Sequence, residues 1–295
     1  MTVRASDVEI IGTAKIGRFP SKLRVLVEPG GVGNGGSLIV EAERLTVKDA
    51  ADITAGTYGM GYAGDIRIIA KQLDLLNDGL ISGETFSEGT GGNISIQVGQ
   101  LIARNGGQIS AGSGRQNQAG NFGKGGNLTV TASDLIEVDG VGRRNRSGFF
   151  TETSSPSRAG DLTINAKQLI VRNGVGISSG ASGSGSLGGD GGNLNINVSE
   201  SVELIGRSRR YLSGLITEAN GRGNAGDLTI QTKQLIIRDR AIVSTQTFGM
   251  GNAGSIFVRD NNRIELNRGY IFSQIREGAV GNAGDINVLA LPLRR

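Results

Sequence analysis

The residue types best suited to chemistry in this 295-residue chain are three glutamates, Glu137, Glu203 and Glu265, and two arginine clusters. The clusters are Arg143, Arg144 and Arg146, and then Arg207, Arg209 and Arg210. Paired carboxylates with a nearby cation can cleave polysaccharides by acid–base catalysis. Guanidinium forks grip sulfate, carboxylate or phosphate groups. Little other chemistry is on offer, because the chain has no His and no Cys. That removes the imidazole base, the usual zinc and haem ligands, thiolate nucleophiles, disulfides and iron–sulfur ligation.

Whether these residues can cooperate depends on the elements that carry them. Gly accounts for 50 of the 295 residues, more than double the usual share of ~7%. Collagen is excluded, since Gly does not recur at every third position and Pro numbers only 4. Leu, Ile and Val are spread evenly and the apolar fraction is 37%, which argues against disorder. The net charge of +4 is mild, and with 4% aromatics it gives no reason to expect nucleic acid as a partner. No apolar run is long enough to span a membrane, and the first residues lack the apolar core of a signal peptide.

The glycines are phased. One element recurs: Gly or Ala, then Gly, then Asn, Asp or Ser, then Leu or Ile, any residue, then Ile or Val. Its second glycine falls at Gly36, Gly64, Gly92, Gly126, Gly160, Gly192, Gly226, Gly254 and Gly284, spaced 28, 28, 34, 34, 32, 34, 28 and 30 residues apart. Each repeat reads as three short strands. The first follows the anchor glycine, as in Leu162-Thr163-Ile164. The second lies about nine residues past it, as in Leu169-Ile170-Val171, and the third about seventeen past, as in Ile177-Ser178. A hairpin meander would need two mirrored strand types, whereas each first strand here resembles the next first strand. Like positions therefore stack in register as an all-β parallel β-helix, a three-strand solenoid of about eight to ten coils forming one domain over residues 1–295. The residue after the anchor never places Asp upon Asp in adjacent coils, which spares a stack with ~4.8 Å layers carboxylate repulsion.

The solenoid places the candidate residues. The outward second-strand column reads Thr46, Asp74, Ile102, Glu137, Ile170, Glu203, Ile236, Glu265. Its three glutamates are separated by Ile, about 10 Å apart and just beyond the inverting range of ~6.5–9.5 Å. A solvated strand face is the preferred reading, and no catalytic residue is expected. The two arginine clusters fall in equivalent long loops two coils apart, with Tyr211 nearby; stacked, they form a basic ridge able to bind acidic glycans, although solvated loops that keep a Gly-rich rod soluble are the preferred reading. Gly188-Gly189-Asp190-Gly191-Gly192 matches half of a calcium-binding nonapeptide, but calcium rolls repeat it in tandem and here it occurs once. No metal and no cofactor are expected. The ends read as mid-coil. Val8-Glu9-Ile10 matches a second strand and Leu26-Val27 a third, while Ile286-Asn287-Val288 matches a first strand.

Repeats such as Gly223-Asn224-Ala225-Gly226-Asp227-Leu228-Thr229-Ile230, followed by Lys233-Gln234-Leu235-Ile236-Ile237, resemble the passenger repeats of filamentous-haemagglutinin-type exoproteins of two-partner secretion systems. The repeat style is similar to that of the cyanobacterial members. The resemblance implies a right-handed parallel β-helix, a dedicated outer-membrane transporter as partner, an extracellular or cell-surface location and adhesive roles. The family's Asn-Pro-Asn-Gly secretion signature is missing, since no Pro here follows an Asn. The expected function is a non-enzymatic, surface-displayed rod presenting variable loops at Ser113 to Gly123, Gly140 to Gly148, Gly180 to Gly191 and Gly206 to Ser213. The alternative is a β-helical polysaccharide lyase or glycoside hydrolase acting on acidic glycans.

Overall fold

Apolar residues at every second position give each strand one face that must leave water. The chain meets this demand by laying like positions on one another. A computed structural model describes residues 1–12, 20–114, 123–185 and 188–290. Most of the expected loop from Ser113 to Gly123, two residues of that from Gly180 to Gly191, and Leu291 to Arg295 lie outside the described residues. The described strands pair in parallel to form a β-solenoid of about eight turns. Leu38, Ile66, Ile94, Leu128, Leu162, Leu194, Leu228, Ile256 and Ile286 make one continuous column of paired residues. From Leu38 to Ile256 these side chains are essentially fully buried.

The three strands of a coil form two sheets. First and second strands merge into single strands such as Leu38–Lys48, Ile66–Leu76, Ile94–Arg104, Leu162–Arg172 and Leu228–Arg238. Among the described residues they separate into Leu128–Ala132 with Leu135–Asp139, and Ile256–Asn261 with Arg263–Asn267. The third strands make a second sheet, whose inward column runs Leu23, Ile53, Ile81, Ile109, Phe149, Ile177, Leu215, Val243 and Ile271. Phe149 and Leu215 enter this column although long loops displace them in sequence. At the other end of this sheet, the third-strand position belongs to Lys22–Arg24 rather than to Leu26-Val27; Val27 makes a single bridge to Thr57. Thr2–Ile11 pairs along Leu38–Lys48 from Thr2, so a first strand precedes Val8. The coils of Glu137, Glu203 and Glu265 have one more residue between first and second strands, absorbed by register shifts such as those at Ala166/Gln168 and Val198/Ser201, whereas the coil of Glu9 pairs without a shift.

Two glycine columns allow the layers to approach. A Cβ on Gly64, Gly92, Gly126, Gly160, Gly192, Gly226, Gly254 or Gly284 would fall closer than 3.0 Å to the carbonyl oxygen of the preceding anchor glycine, an approach Cβ atoms do not make. A parallel column lies three residues earlier, at Gly61, Gly89, Gly123, Gly189, Gly223, Gly251 and Gly281, each set against the carbonyl oxygen of the same position one coil before. Ser157 takes that position in one coil. At the anchors the requirement is space, not an unusual φ; in the second column Gly61 and Gly281 also have positive φ, +129 and +158.

Beside the anchors runs a ladder of side-chain oxygens. The Asp65 Oδ1 accepts the backbone N–H of Asn93 at 2.8 Å. Asn93 then accepts from Asn127, Asn127 from Asp161, Asp161 from Asn193, Asn193 from Asp227 and Asp227 from Ser255. A second ladder links Asp190, Asn224, Asn252 and Asn282 in the same way. A short side chain bearing an acceptor oxygen is what the first position requires, and Asp, Asn and Ser supply it; the second position keeps it in the later coils, while Tyr62, Thr90, Lys124 and Arg158 stand there in the four coils before. Asp190 of the glycine-rich Gly188–Gly192 segment is thus the first rung of a ladder.

The glycine constraint predicts a ranking. Gly160→Ala places a methyl on the Gly126 carbonyl and is expected to cost about 3 kcal/mol or more. Gly36→Ala meets only a Val25 methyl at 3.2 Å and is expected to cost about 1 kcal/mol or less. Urea midpoints of the two variants check this order; equal midpoints contradict it.

Candidate functional site

The outward glutamates of the second strands are anchors of the sheet surface. Glu137 is 7% exposed and lies in register between Ile102 and Ile170. Arg104 of the coil before and Arg172 of the coil after both reach it, at 2.7 and 2.9 Å. Arg172 also bonds Asp139 at 3.0 Å. Glu203 sits in register between Ile170 and Ile236. Glu265 accepts from Arg238 at 2.8 Å and from Arg263 at 2.6 Å, and the Arg238 bond holds its carboxyl below the ordinary range. Each of these carboxylates is committed to, or lies beside, an arginine that braces neighbouring coils.

The two arginine loops join second strands to third strands. In short corners this turn is made by left-handed residues, mostly Asn and Asp, such as Asn77, Asp78, Asn105 and Asn173, which tolerate positive φ better than other non-glycine types. The long loops start at Gly140 and Gly206, both with φ +74. Each closes on itself by one antiparallel bridge, Val141 to Arg146 and Arg207 to Leu212. In the first loop, the backbone N–H groups of Arg143, Arg144 and Asn145 donate to the Asp78 carboxylate at 3.1–3.3 Å. In the second, Ser208 Oγ accepts from the N–H groups of Arg210 and Tyr211.

The arginines divide into two groups. Arg143, Arg144, Arg207, Arg209 and Arg210 are exposed and make no ion pair among the described residues. Arg146 turns inward. Its guanidinium lies over the rings of Phe150 and Tyr211, 5.0 and 5.3 Å from their centroids, and 3.7 Å from Glu152. It packs flat over Gly176, whose Cβ would sit 3.2 Å from it. Tyr211 comes from the second loop, so Arg146 ties the two loops together.

Between the first loop and the third-strand sheet is a cleft of about 300 Å³. Glu84, Ser110, Glu152 and Ser154 line its floor, Arg144, Arg146 and Phe150 one side, and Tyr211 the rim. Ser110 Oγ donates to Glu84 and Ser178 Oγ donates to Glu152, each at 2.5 Å. Glu218, two coils beyond Glu152, leans back along the stack; its Cγ lies 2.8 Å from where a Cβ on Gly180 would be. Burial, and then the charge of Glu152, push its carboxyl up to about 7, against the pull of Arg146 and a hydrogen bond from Gln246.

Sequence reasoning searched the second-strand column and missed this third-strand one. The signal was present: Glu84, Glu152 and Glu218 each precede an anchor, Gly92, Gly160 and Gly226, by eight residues. Counting forward from the anchors hid it, because the loops vary in length before the third strand. Among the described residues no group of three or more acidic side chains is arranged to hold a metal ion, and no helix is long and apolar enough to cross a membrane. No family model, no curated protein and no solved structure matches the chain.

Raising a carboxyl means that folding disfavours its charged form. Stability from the neutral form is fully present below about 4.5, the ordinary value, and is lost as pH rises through about 7. Glu218→Gln is therefore expected to leave the melting temperature unchanged at pH 4 and to raise stability at pH 8 by up to about 3 kcal/mol. Melting curves at the two pH values check this; an equal effect at both contradicts it.

Proposed function

We propose that this chain is a non-enzymatic, secreted or surface-displayed β-solenoid, an adhesin-like exoprotein segment that holds side loops out for attachment. The observation that supports this most is the pairing of a rigid stack with two neighbouring loops whose five outward arginines carry no internal partner among the described residues. Coils locked by backbone pairing and side-chain ladders resist bending, and exposed guanidinium groups on the side of a rod suit carboxylated or sulfated glycans. Export through a two-partner outer-membrane transporter belongs to this proposal and follows from the repeat resemblance.

The second reading, a β-helical lyase or hydrolase of acidic glycans, draws support from one feature. Glu152 and Glu218 are carboxyls in unequal surroundings, and such pairs can divide acid and base roles. The adhesive reading is favoured because Arg143, Arg207, Arg209 and Arg210 are exposed outside the cleft, and because Glu218 does not line the cleft with Glu152.

A glycan array with the full chain tests the choice. Retention of sulfated or uronic-acid glycans is expected, weakening with salt as exposed charge pairs do. The combined variant Arg143→Glu, Arg209→Glu, Arg210→Glu is expected to lose at least tenfold in affinity. Release of shortened products from an acidic polysaccharide contradicts the non-enzymatic reading, and absence of all glycan binding contradicts the adhesive one.

A further inference from the structure

One corner of every coil, between the third strand and the next anchor glycine, carries exposed residues in a mirrored order. Let coils be counted by their anchors, from Gly36 as the first to Gly284 as the ninth. The glycine stack three residues before the anchors fixes the register, and the residue just before that stack forms a column along this edge. Val32 and Met60 bridge each other in coils one and two, and Met250 and Val280 bridge each other in coils eight and nine. These four side chains are 82, 66, 57 and 65% exposed. In the same column Glu88 stands in coil three, Pro156 in coil five and Arg222 in coil seven, all exposed. The coil-four member lies outside the described residues. Val, Met and Glu thus approach coil five from one end, and Val, Met and Arg approach it from the other.

Neighbouring columns repeat the inversion of charge. Two residues closer to the anchor, Lys124 in coil four mirrors Asp190 in coil six, and both are exposed. On the other side, coils one and nine make equivalent turns, in which the Gly31 N–H donates to the Glu28 carbonyl at 2.9 Å and the Ala279 N–H to the Arg276 carbonyl at 3.0 Å. Exposed Glu28 therefore mirrors exposed Arg276. None of these six charged side chains is in an ion pair among the described residues. An aromatic pair follows the same rule, since Tyr58 in coil two mirrors Phe248 in coil eight.

We propose that this edge joins two copies of the chain side by side and antiparallel, about a twofold axis that crosses it at coil five. Such an axis sets coil one of each copy on coil nine of the other, two on eight and three on seven, column on column. Met60 then meets Met250 of the second copy and Val32 meets its Val280, so exposed apolar surface leaves water at both ends of the contact. Methionine chains adapt readily to one another across such a contact. Glu88 meets Arg222, Glu28 meets Arg276 and Lys124 meets Asp190, each pair formed twice. A parallel arrangement would set Glu88 on Glu88 and Arg222 on Arg222, so charge selects the antiparallel one. Arg158 faces its own copy beside the axis, and Asp161 balances it at 2.6 Å. The apolar ends also argue for a long partner: Met60 and Met250 are six layers apart, about 29 Å, beyond the span of one small ligand. The arginine loops precede the third strands and this edge follows them, so pairing leaves the loops exposed. The inference does not depend on the adhesive reading.

Analytical sedimentation of the full chain across a wide concentration range tests it. A concentration-dependent dimer is expected. Met60→Lys is expected to weaken it at least tenfold. Glu88→Arg sets Arg upon Arg222 twice per dimer and is expected to weaken it at least fivefold; adding Arg222→Glu is expected to restore it. All three side chains are exposed, so the variants leave the core untouched. The order of the two copies is read by cross-linking, because the chain has no Cys of its own. Under oxidising conditions a mixture of the Met60→Cys and Met250→Cys variants is expected to link into dimers, and neither variant alone is. A monomer at every concentration overturns the inference. A dimer indifferent to Met60→Lys and to the charge exchange, or growth beyond two copies, overturns the assigned edge. Linking of either cysteine variant with itself overturns the antiparallel order. Glycan retention by the arginine loops is measured separately and stands or falls apart from these outcomes.

Discussion

Everything in this molecule depends on how closely one coil can lie upon the next. Strand pairing sets the layers about 4.8 Å apart, and at the corner before each first strand the backbone of one coil presses on that of the coil before. The anchor glycine meets the preceding anchor's carbonyl oxygen, and the glycine three residues earlier repeats the contact. A side chain at the anchor forces the layers apart and opens the parallel pairing on both sides, whereas the second column admits Ser157 in one coil. The invariance of the anchor across repeats whose lengths range from 28 to 34 residues is thus a steric requirement. Length varies mainly where the chain is free to bulge, between second and third strands and after the third, and by one residue between first and second strands.

Close approach has an electrostatic consequence. A corner so short of side chains leaves backbone amides with few partners, and the oxygen ladders meet that need. Asp65 through Ser255 accept successive backbone N–H groups from the next coil. Inside the same corners, hydroxyls of Ser179, Thr217 and Thr245 donate to anchor carbonyls. The anchor glycine, the acceptor residue after it and the buried hydroxyl opposite form one unit. Avoidance of stacked Asp is then a secondary feature of a position chosen for its acceptor oxygen.

The repeat made much of this legible before any coordinates. Inward columns such as Leu38 to Ile286 and the outward series from Thr46 to Glu265 stand in the register that their spacing implied. Fusion of the first and second strands was not legible, since Lys71 and Lys167 between them look like turn residues but continue the pairing edge. The second glycine column escaped notice because Ser157 interrupts it and because glycine is abundant nearby. The inward turn of Arg146 depends on Phe150 and on Tyr211 from sixty-five positions later. Nothing local separates it from the outward Arg143 and Arg144. Third-strand carboxylates are legible only when counted backward from the next anchor, since the loops that carry variation lie on their other side.

The same logic separates scaffold from surface. The anchor corners tolerate little change, whereas loops 140–147 and 206–213 stand outside the stack, each closed by a single bridge and tied down by Asp78 and by the Arg146–Tyr211 contact. The central claim is that the coil, phased by its glycines, is the unit of structure. Removing one whole 28-residue coil, residues 65–92, joins Gly64 to Asn93 and leaves the glycine and ladder columns continuous. Circular dichroism with thermal unfolding is the direct test. A β-sheet spectrum with cooperative melting is predicted for this deletion, and loss of both for removal of the half coil 65–78. An unfolded whole-coil deletion, or a half-coil deletion that folds equally well, contradicts the account.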